Sequence, residues 1–241
     1  MAGRVVAVAS GKGGVGKTVL SIGLAQALGE HGARTLLIDC DFGLANVDVQ
    51  LGLPAGRDLG GVLAGACTLE QAAQPVPGGF WVLPGRSGSG ALAGVEGDAM
   101  GLLLAAARQG YAQVVLDIGA GVQAPQRRLL ATADLALIIA TEEPTSLTDA
   151  YAVLKLLRRD RPDADARIIA NMAGGAAGLR VWQLLDNAAR GFLGSPVAYA
   201  GGVRRDAKVA DSIRHQQSLL HRHPTSQAAA DIRAVAAALS G

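Results

Sequence analysis

Eight residues near the start of the chain, Gly11-Lys12-Gly13-Gly14-Val15-Gly16-Lys17-Thr18, have the types and spacing to hold a polyphosphate. They satisfy the pattern GxxxxGK(S/T) and lie between an apolar run at 5–9 and a helical pattern at 18–31, as that pattern requires. Glycines let the backbone wrap until successive N–H groups point at phosphate oxygens, and the start of the next helix adds positive potential. Lys17 is expected to reach the β- and γ-phosphates, with the Thr18 hydroxyl as a Mg²⁺ ligand. A glycine-rich turn matching by accident is the alternative, and the strand–helix setting weighs against it. A second lysine, Lys12, cannot easily serve the same phosphates from within the loop. The chain has only 4 lysines against 18 arginines, and two of the four fall here.

Carboxylates follow where such a loop needs them. Asp39, Asp41 and Asp48 stand in Asp39-Cys40-Asp41-Phe42-Gly43-Leu44-Ala45-Asn46-Val47-Asp48, after an apolar run at 34–39. A carboxylate at a strand's carboxyl end beside the loop can position Mg²⁺ through water or orient an attacking water. Asp48 reads instead as a turn or cap residue. Asp117, ending the run at 113–117, suits holding Mg²⁺ water, and Ile118-Gly119-Ala120-Gly121 after it can flex as a phosphate-sensing switch. Asn171 ends another apolar run, at 167–171, where its amide either meets a base edge or caps the strand.

These groups need strands to carry them, and the rest of the chain supplies strands. Further apolar runs lie at 80–83, 135–140 and 197–200, with helical patterns at 95–109, 125–131, 146–159, 179–192 and 226–239. Strands apolar throughout are buried on both faces, as in a parallel sheet covered by helices. The expected fold is α/β: a single doubly wound, mainly parallel β-sheet with helices on both faces, in one domain spanning 1–241. Loops at 84–94 and 172–178, rich in Gly, Ser and Ala, read as mobile.

Composition narrows the class. The 241 residues are 50% hydrophobic, 17% charged and 3% aromatic, which excludes a disordered chain. No apolar run approaches the ~20 residues of a membrane span. The first strand opens too early to leave room for a signal peptide, so a soluble cytoplasmic protein is expected. Cys40 and Cys67 have neither disulfide nor metal spacing. Net charge is +2. The second half is arginine-rich (Arg158, Arg159, Arg161, Arg204, Arg205, Arg214, Arg222), which reads either as solvated helix faces or as a surface tracking nucleic-acid phosphates.

Lys12-Gly13-Gly14-Val15-Gly16-Lys17-Thr18 resembles the deviant phosphate loop of the MinD/ParA family of ATPases, and the resemblance extends over residues 4–239. It implies ATP and Mg²⁺ as ligands and an ATP-dependent homodimer in which Lys12 crosses to the partner's nucleotide. By the same resemblance Lys12, Lys17 and Asp41 are catalytic, with Asp41 aligning the attacking water. Thr18, Asp39, Asp41 and Asp117 serve the metal, Gly11 through Thr18 hold the nucleotide, and Asn171 reads adenine. Asp206, in Val203-Arg204-Arg205-Asp206, falls on the base's other side, although its segment departs from the family's usual glycine–hydrophobic–proline–x–Asp form.

Within the family, residues 116–121 and Glu143-Pro144-Thr145-Ser146-Leu147-Thr148-Asp149-Ala150-Tyr151 are most similar to FlhG (FleN) regulators of flagellar number. That implies spatial and numerical control of flagella, with the flagellar GTPase FlhF or flagellar switch and regulatory proteins as partners. The chain starts at its first strand, so the FlhG N-terminal extension that acts on FlhF is not expected. As an ordinary helix start, residues 143–151 would place Thr145 or Ser146 as cap after Pro144. The 226–239 segment lacks the wide apolar face and basic flank of a membrane anchor, so it reads as a core helix, leaving polar or membrane association to partners. The alternatives are a ParA-type cargo-partitioning ATPase associated with non-specific DNA and a MinD-type division-site regulator. Iron–sulfur relatives would need cluster cysteines the chain lacks.

Overall fold

The apolar runs become strands of one sheet. The computed structural model describes residues 2–85 and 97–240. Strands β1 (Arg4–Ala9), β2 (Thr35–Cys40), β3 (Gln74–Val76), β4 (Phe80–Leu83), β5 (Gln113–Ile118), β6 (Leu135–Ala140), β7 (Ala166–Asn171) and β8 (Ala198–Val203) lie in the order β3-β4-β2-β5-β1-β6-β7-β8. All neighbours are parallel except β3 against β4. Among the described residues the helices are α1 (Lys17–Glu30), α2 (Val47–Leu51), α3 (Leu59–Leu63), α4 (Leu69–Ala72), α5 (Gly97–Gly110) and α6 (Ala124–Thr132). They continue with α7 (Pro144–Asp160), α8 (Gly175–Leu193), α9 (Ala207–Arg214), α10 (Leu219–Arg222) and α11 (Gln227–Ser240).

Side chains alternate across each strand, so one strand feeds two cores. Val5, Ala7 and Ala9 of β1 join Leu104 of α5, Leu129 of α6, Leu154 of α7 and Leu185 of α8 on one face. Val6 and Val8 join Leu24 of α1, Leu220 of α10 and Ile232 of α11 on the other. Helices thus cover both faces, and burying each large aliphatic side chain contributes roughly 1.5–3 kcal/mol. The helix expected at 226–239 is α11, whose Ile232, Val235 and Leu239 are buried in that second core. No helix among the described residues is long and apolar enough to cross a membrane.

The boundaries differ from expectation where local chemistry overrides apolar pattern. Strand β8 runs on to Val203 through Gly201 and Gly202, past the expected end at 200, with an irregularity opposite Ile168 and Ile169. Its glycines carry no apolar signal but still pair. Arg34 lies outside β2; its guanidinium stacks on Trp81 and Tyr111 instead. Helix α7 begins at Pro144 rather than 146, because Ser146 accepts the Thr141 N–H and neither Thr145 nor Ser146 is the cap. Residues 175–178, expected in a loop, form the first turn of α8, where Gly178 packs beneath Tyr199. Of the loop expected at 84–94, residues 86–94 lie outside the described residues, as do 95 and 96 of the next expected helix.

The chain order reverses at β1, which sits between β5 and β6. Parallel strands put their carboxyl ends on one edge, and a crevice opens where neighbouring connections leave in opposite directions. The ends of β1, β2, β5 and β7 therefore bring together the glycine loop, Asp39, Asp117 and Asn171.

Candidate functional site

The glycine loop leaves β1 at Ser10 and enters α1 at Lys17. Gly16 has φ 86°, and a Cβ there would fall 2.3 Å from Asn171 Nδ2, so both backbone and space demand glycine. Beneath the loop lies a buried polar knot. Lys17 Nζ donates to Asp117 Oδ1 at 2.8 Å, and Thr18 Oγ1 donates to Asp117 Oδ2 at 2.8 Å. Ser21 Oγ stands 3.0 Å from Asp117 Oδ1. Lys17 is 8% and Asp117 1% exposed, so each charge depends on the other. Ser21 went unnoticed in the sequence. Its signal is a hydroxyl one turn after Lys17, at a buried position among mainly apolar residues of α1.

Asp39 sits opposite Asp117 across the β2–β5 pair. Its carboxylate accepts backbone N–H groups from Asp41, Asn46 and Val47, so it ties the 41–47 loop to the strand end. Burial, and then the charge of Asp117, push its pKa from 3.8 up to about 7. The folded chain therefore keeps a proton there that the unfolded chain has lost between those values. The contribution of Asp39 to nucleotide-free stability is expected to be full below about pH 4, to fall as pH rises to about 7, and to level off above. The loss is at most on the order of 4 kcal/mol. Urea unfolding across pH 4–8 checks it, and Asp39→Asn should flatten the slope.

Asp41 is half-buried, and its Oδ1 accepts the N–H groups of Gly43 and Leu44. It faces Gly119, where an added Cβ would lie 3.1 Å from that oxygen. The Gly121 N–H donates to Ser10 O, so the segment after Asp117 is tied to the mouth of the glycine loop. Asp48 lies in the first turn of α2, where Oδ1 accepts the Val49 N–H, as a turn residue should.

Lys12 points away from this knot. Its Nζ donates to Glu143 Oε2 at 2.7 Å and to Thr145 Oγ1 at 3.1 Å, and a third of the side chain is exposed. Lys12 in turn holds the Glu143 carboxyl below its ordinary pKa. Next to it, a Cβ on Gly11 would come 2.5 Å from Asp149 Cβ, so α7 lies directly against the loop. The run 143–151, read in sequence as a branch signature, is thus the surface on which the loop rests.

A cavity of about 240 Å³ opens beside Gly16, between Asn171, Met172, Arg204, Asp206 and Ile213. Asn171 Nδ2 donates to Val15 O at 2.7 Å. That bond uses one of the two amide N–H groups, leaving the second N–H and the carbonyl oxygen for a ligand. Asp206 lines the cavity too, but its oxygens accept the N–H groups of Lys208 and Ala228, which joins the starts of α9 and α11. Those bonds hold its pKa down. Its geometry suits framing the cavity more than offering a free acceptor.

The second-half arginines are mostly engaged within the chain. Arg204 pairs with Asp231, Arg214 and Arg222 with Asp211, Arg159 with Asp160 and Arg161 with Asp163. Arg158 donates to the carbonyls of Ser195 and Pro196.

Comparison with known proteins agrees with this geometry. The family model "CobQ/CobB/MinD/ParA nucleotide binding domain" matches residues 6–220. The antiactivator FleN of Pseudomonas aeruginosa is 36% identical over 237 residues, covering 97% of this chain and 85% of that protein. The flagellum site-determining protein YlxH of Helicobacter pylori is 29% identical over 226 residues, covering 90% and 74%. Among solved structures, the septum site-determining protein MinD of Pyrococcus horikoshii, complexed with Mg-ADP, superposes with a TM-score of 0.82 at 23% identity, covering 97% and 94%. The phosphate loop at the reversal point of the sheet, with its lysine and threonine on the neighbouring strand's aspartate, lies within the residues matched, and the chain belongs to the MinD/ParA family of nucleotide-binding ATPases.

Proposed function

We propose that this chain is a nucleotide switch: it binds Mg-ATP, pairs with a second copy across two ATP molecules, and hydrolyses them to separate. The observation that carries the reading is the position of Lys12. It belongs to the phosphate loop, yet it lies at the surface on Glu143 and Thr145 while Lys17 alone occupies the chain's own phosphate floor. A cation so placed is suited to a partner's phosphates.

Hydrolysis then follows from the residues in place. Gly11 through Gly16 wrap the phosphates with backbone N–H groups, and Lys17 exchanges Asp117 for the β- and γ-phosphates. The hard oxygen donors at the floor, the Thr18 hydroxyl and the Asp117 carboxylate, fit Mg²⁺, which takes few protein ligands and keeps waters and phosphates for the rest. Bound there, Mg²⁺ would neutralise charge on the phosphates. Asp39, already holding the 41–47 loop, supports from behind, and Asp41 aligns the attacking water. The Asn171 amide, with its carbonyl oxygen and one N–H left, pairs with the exocyclic amine and the adjacent ring nitrogen of adenine.

Loss of the γ-phosphate returns Lys12 to Glu143. Glu143→Ala should therefore raise ATP-dependent dimerisation by up to about fivefold, because an exposed ion pair no longer has to break. Lys12→Ala should abolish ATP-dependent dimerisation and cut turnover. Sedimentation of each variant with ATP and with ADP measures both effects.

The role in the cell is spatial and numerical control of flagella, supported by similarity to FleN and to a flagellum site-determining protein. Partners would be FlhF or flagellar switch and regulatory proteins. Deleting the gene and counting flagella per cell, with their positions, by electron microscopy tests this. Extra or misplaced flagella support it. Unchanged flagella overturn the flagellar role and leave the ATP-dependent dimer to be judged by sedimentation.

A further inference from the structure

We infer that Gln126, on the helix after the Asp117 switch segment, is a positioning residue for Asp41 in hydrolysis, joining the two loops that flank the γ-phosphate position. The inference rests on the ATPase reading above.

Gln126 stands in the first turn of α6, whose start is marked by Gln123 and Pro125. A glutamine three residues past the cap commonly folds back to the cap's own N–H. This one makes no such bond among the described residues. Its Nε2 lies over Gly119, 3.4 Å from where a Cβ would be, and Asp41 Oδ1 lies 3.1 Å from the same point. Gly119 is thus the gap across which a carboxamide and a carboxylate approach each other, and any side chain there would crowd Asp41.

The other end of the amide is equally informative. Gln126 Oε1 is the only buried side-chain nitrogen or oxygen among the described residues without a hydrogen-bond partner. An unpaired buried acceptor is destabilising, so nothing at that end holds the amide in place and Nε2 can turn toward Asp41. Residues 118–121 contain two glycines and lead from Asp117 into α6, so a small rotation of this segment moves Gln126 with it.

Asp41 gives the amide something to act on. Its backbone N–H is held by Asp39, but its carboxylate accepts only from Gly43 and Leu44 of its own loop, and no hydrogen bond among the described residues reaches that carboxylate from outside the loop. A donor from α6 would fix the carboxylate against the body of the protein. Its free oxygen would then be held in one direction for the attacking water. Carboxamide nitrogen to carboxylate oxygen is a charge-assisted bond, among the stronger kinds a neutral side chain can make.

The test uses Gln126→Met, which keeps length and packing but removes the donor, and Gln126→Glu, which keeps shape but sets a second carboxylate against Asp41. ATP turnover should fall about tenfold in the first and further in the second. ATP affinity should stay within about twofold of the parent chain, and the ADP-bound melting temperature should not fall in the methionine variant, which loses the unpaired acceptor. A packing role predicts neither that order nor a loss confined to turnover. Methionine turnover within twofold of the parent, or a parallel loss of ATP affinity, overturns the inference. A parent chain that does not hydrolyse ATP overturns the ATPase reading and this inference together. A parent that does, with an active methionine variant, overturns this inference alone.

Discussion

Replacing Asp41 with alanine is expected to lower ATP turnover by about 10²–10³-fold while ATP binding survives. The separation follows from where its bonds go. Asp41 Oδ1 is spent on Gly43 and Leu44 of its own loop, whereas the phosphate floor of Lys17, Thr18 and Ser21 gathers on Asp117. Removing the carboxylate leaves that floor intact and costs the folded chain about 1 kcal/mol in lost loop bonds. The ATP-bound dimer should therefore accumulate, visible as a persistent dimer by sedimentation with ATP and a monomer with ADP. Asp41→Asn sharpens the test, because its carbonyl oxygen can still accept the Gly43 and Leu44 N–H groups. An asparagine variant as slow as alanine assigns the loss to the charge that orients water. Near-normal turnover in both variants would remove Asp41 from the reaction.

How much of this was legible in the chain depended on how local each feature is. The phosphate loop is eight contiguous residues, and its strand–helix setting was readable from apolar periodicity on either side. The central strands were legible for the same reason, being apolar end to end and 0–2% exposed at most core positions. Short elements were not. Helix α2 has one buried apolar residue and is held by Asp39 accepting the Val47 N–H from the strand before it. Helix α9, eight residues long, is capped by Asp206, which also ties it to α11 through Ala228, 22 residues on. Strand β3 contains Pro75 and pairs at the sheet edge, where a missing N–H is tolerated. In the site, Lys12 and Glu143 are 131 residues apart, and no spacing within either segment announces their contact. Asp39 and Asp117 were each visible as strand-end carboxylates, but the effect of Asp117 on the ionisation of Asp39 requires the register that sets them side by side.

Lys17→Ala should damage the protein twice, in folding and in binding, and the two losses can be separated. The folded, nucleotide-free chain buries Asp117 at 1% exposure with the Lys17 ammonium as its counter-charge. Without it, Asp117 retains only the Thr18 and Ser21 hydroxyls and faces Asp39 across the strand pair. Stranding one member of a buried ion pair costs about 3–5 kcal/mol, a large share of the 5–15 kcal/mol typical of a whole domain. The cost should be greatest above about pH 7 and shrink on acidification, because Asp39, pushed up to about 7, then takes a proton and no longer sets a second charge beside Asp117. ATP affinity should fall at least about a hundredfold at the same time, since Lys17 is the cation committed to the chain's own phosphates. Adding Asp117→Asn removes the orphaned charge. The double variant should regain most of the lost stability in urea unfolding and still fail to bind ATP in a fluorescence titration. If Lys17→Ala unfolds at the parent's urea concentration, the buried pair does not hold the floor of this site together. If the double variant binds ATP normally, the phosphates are held by the backbone loop without Lys17.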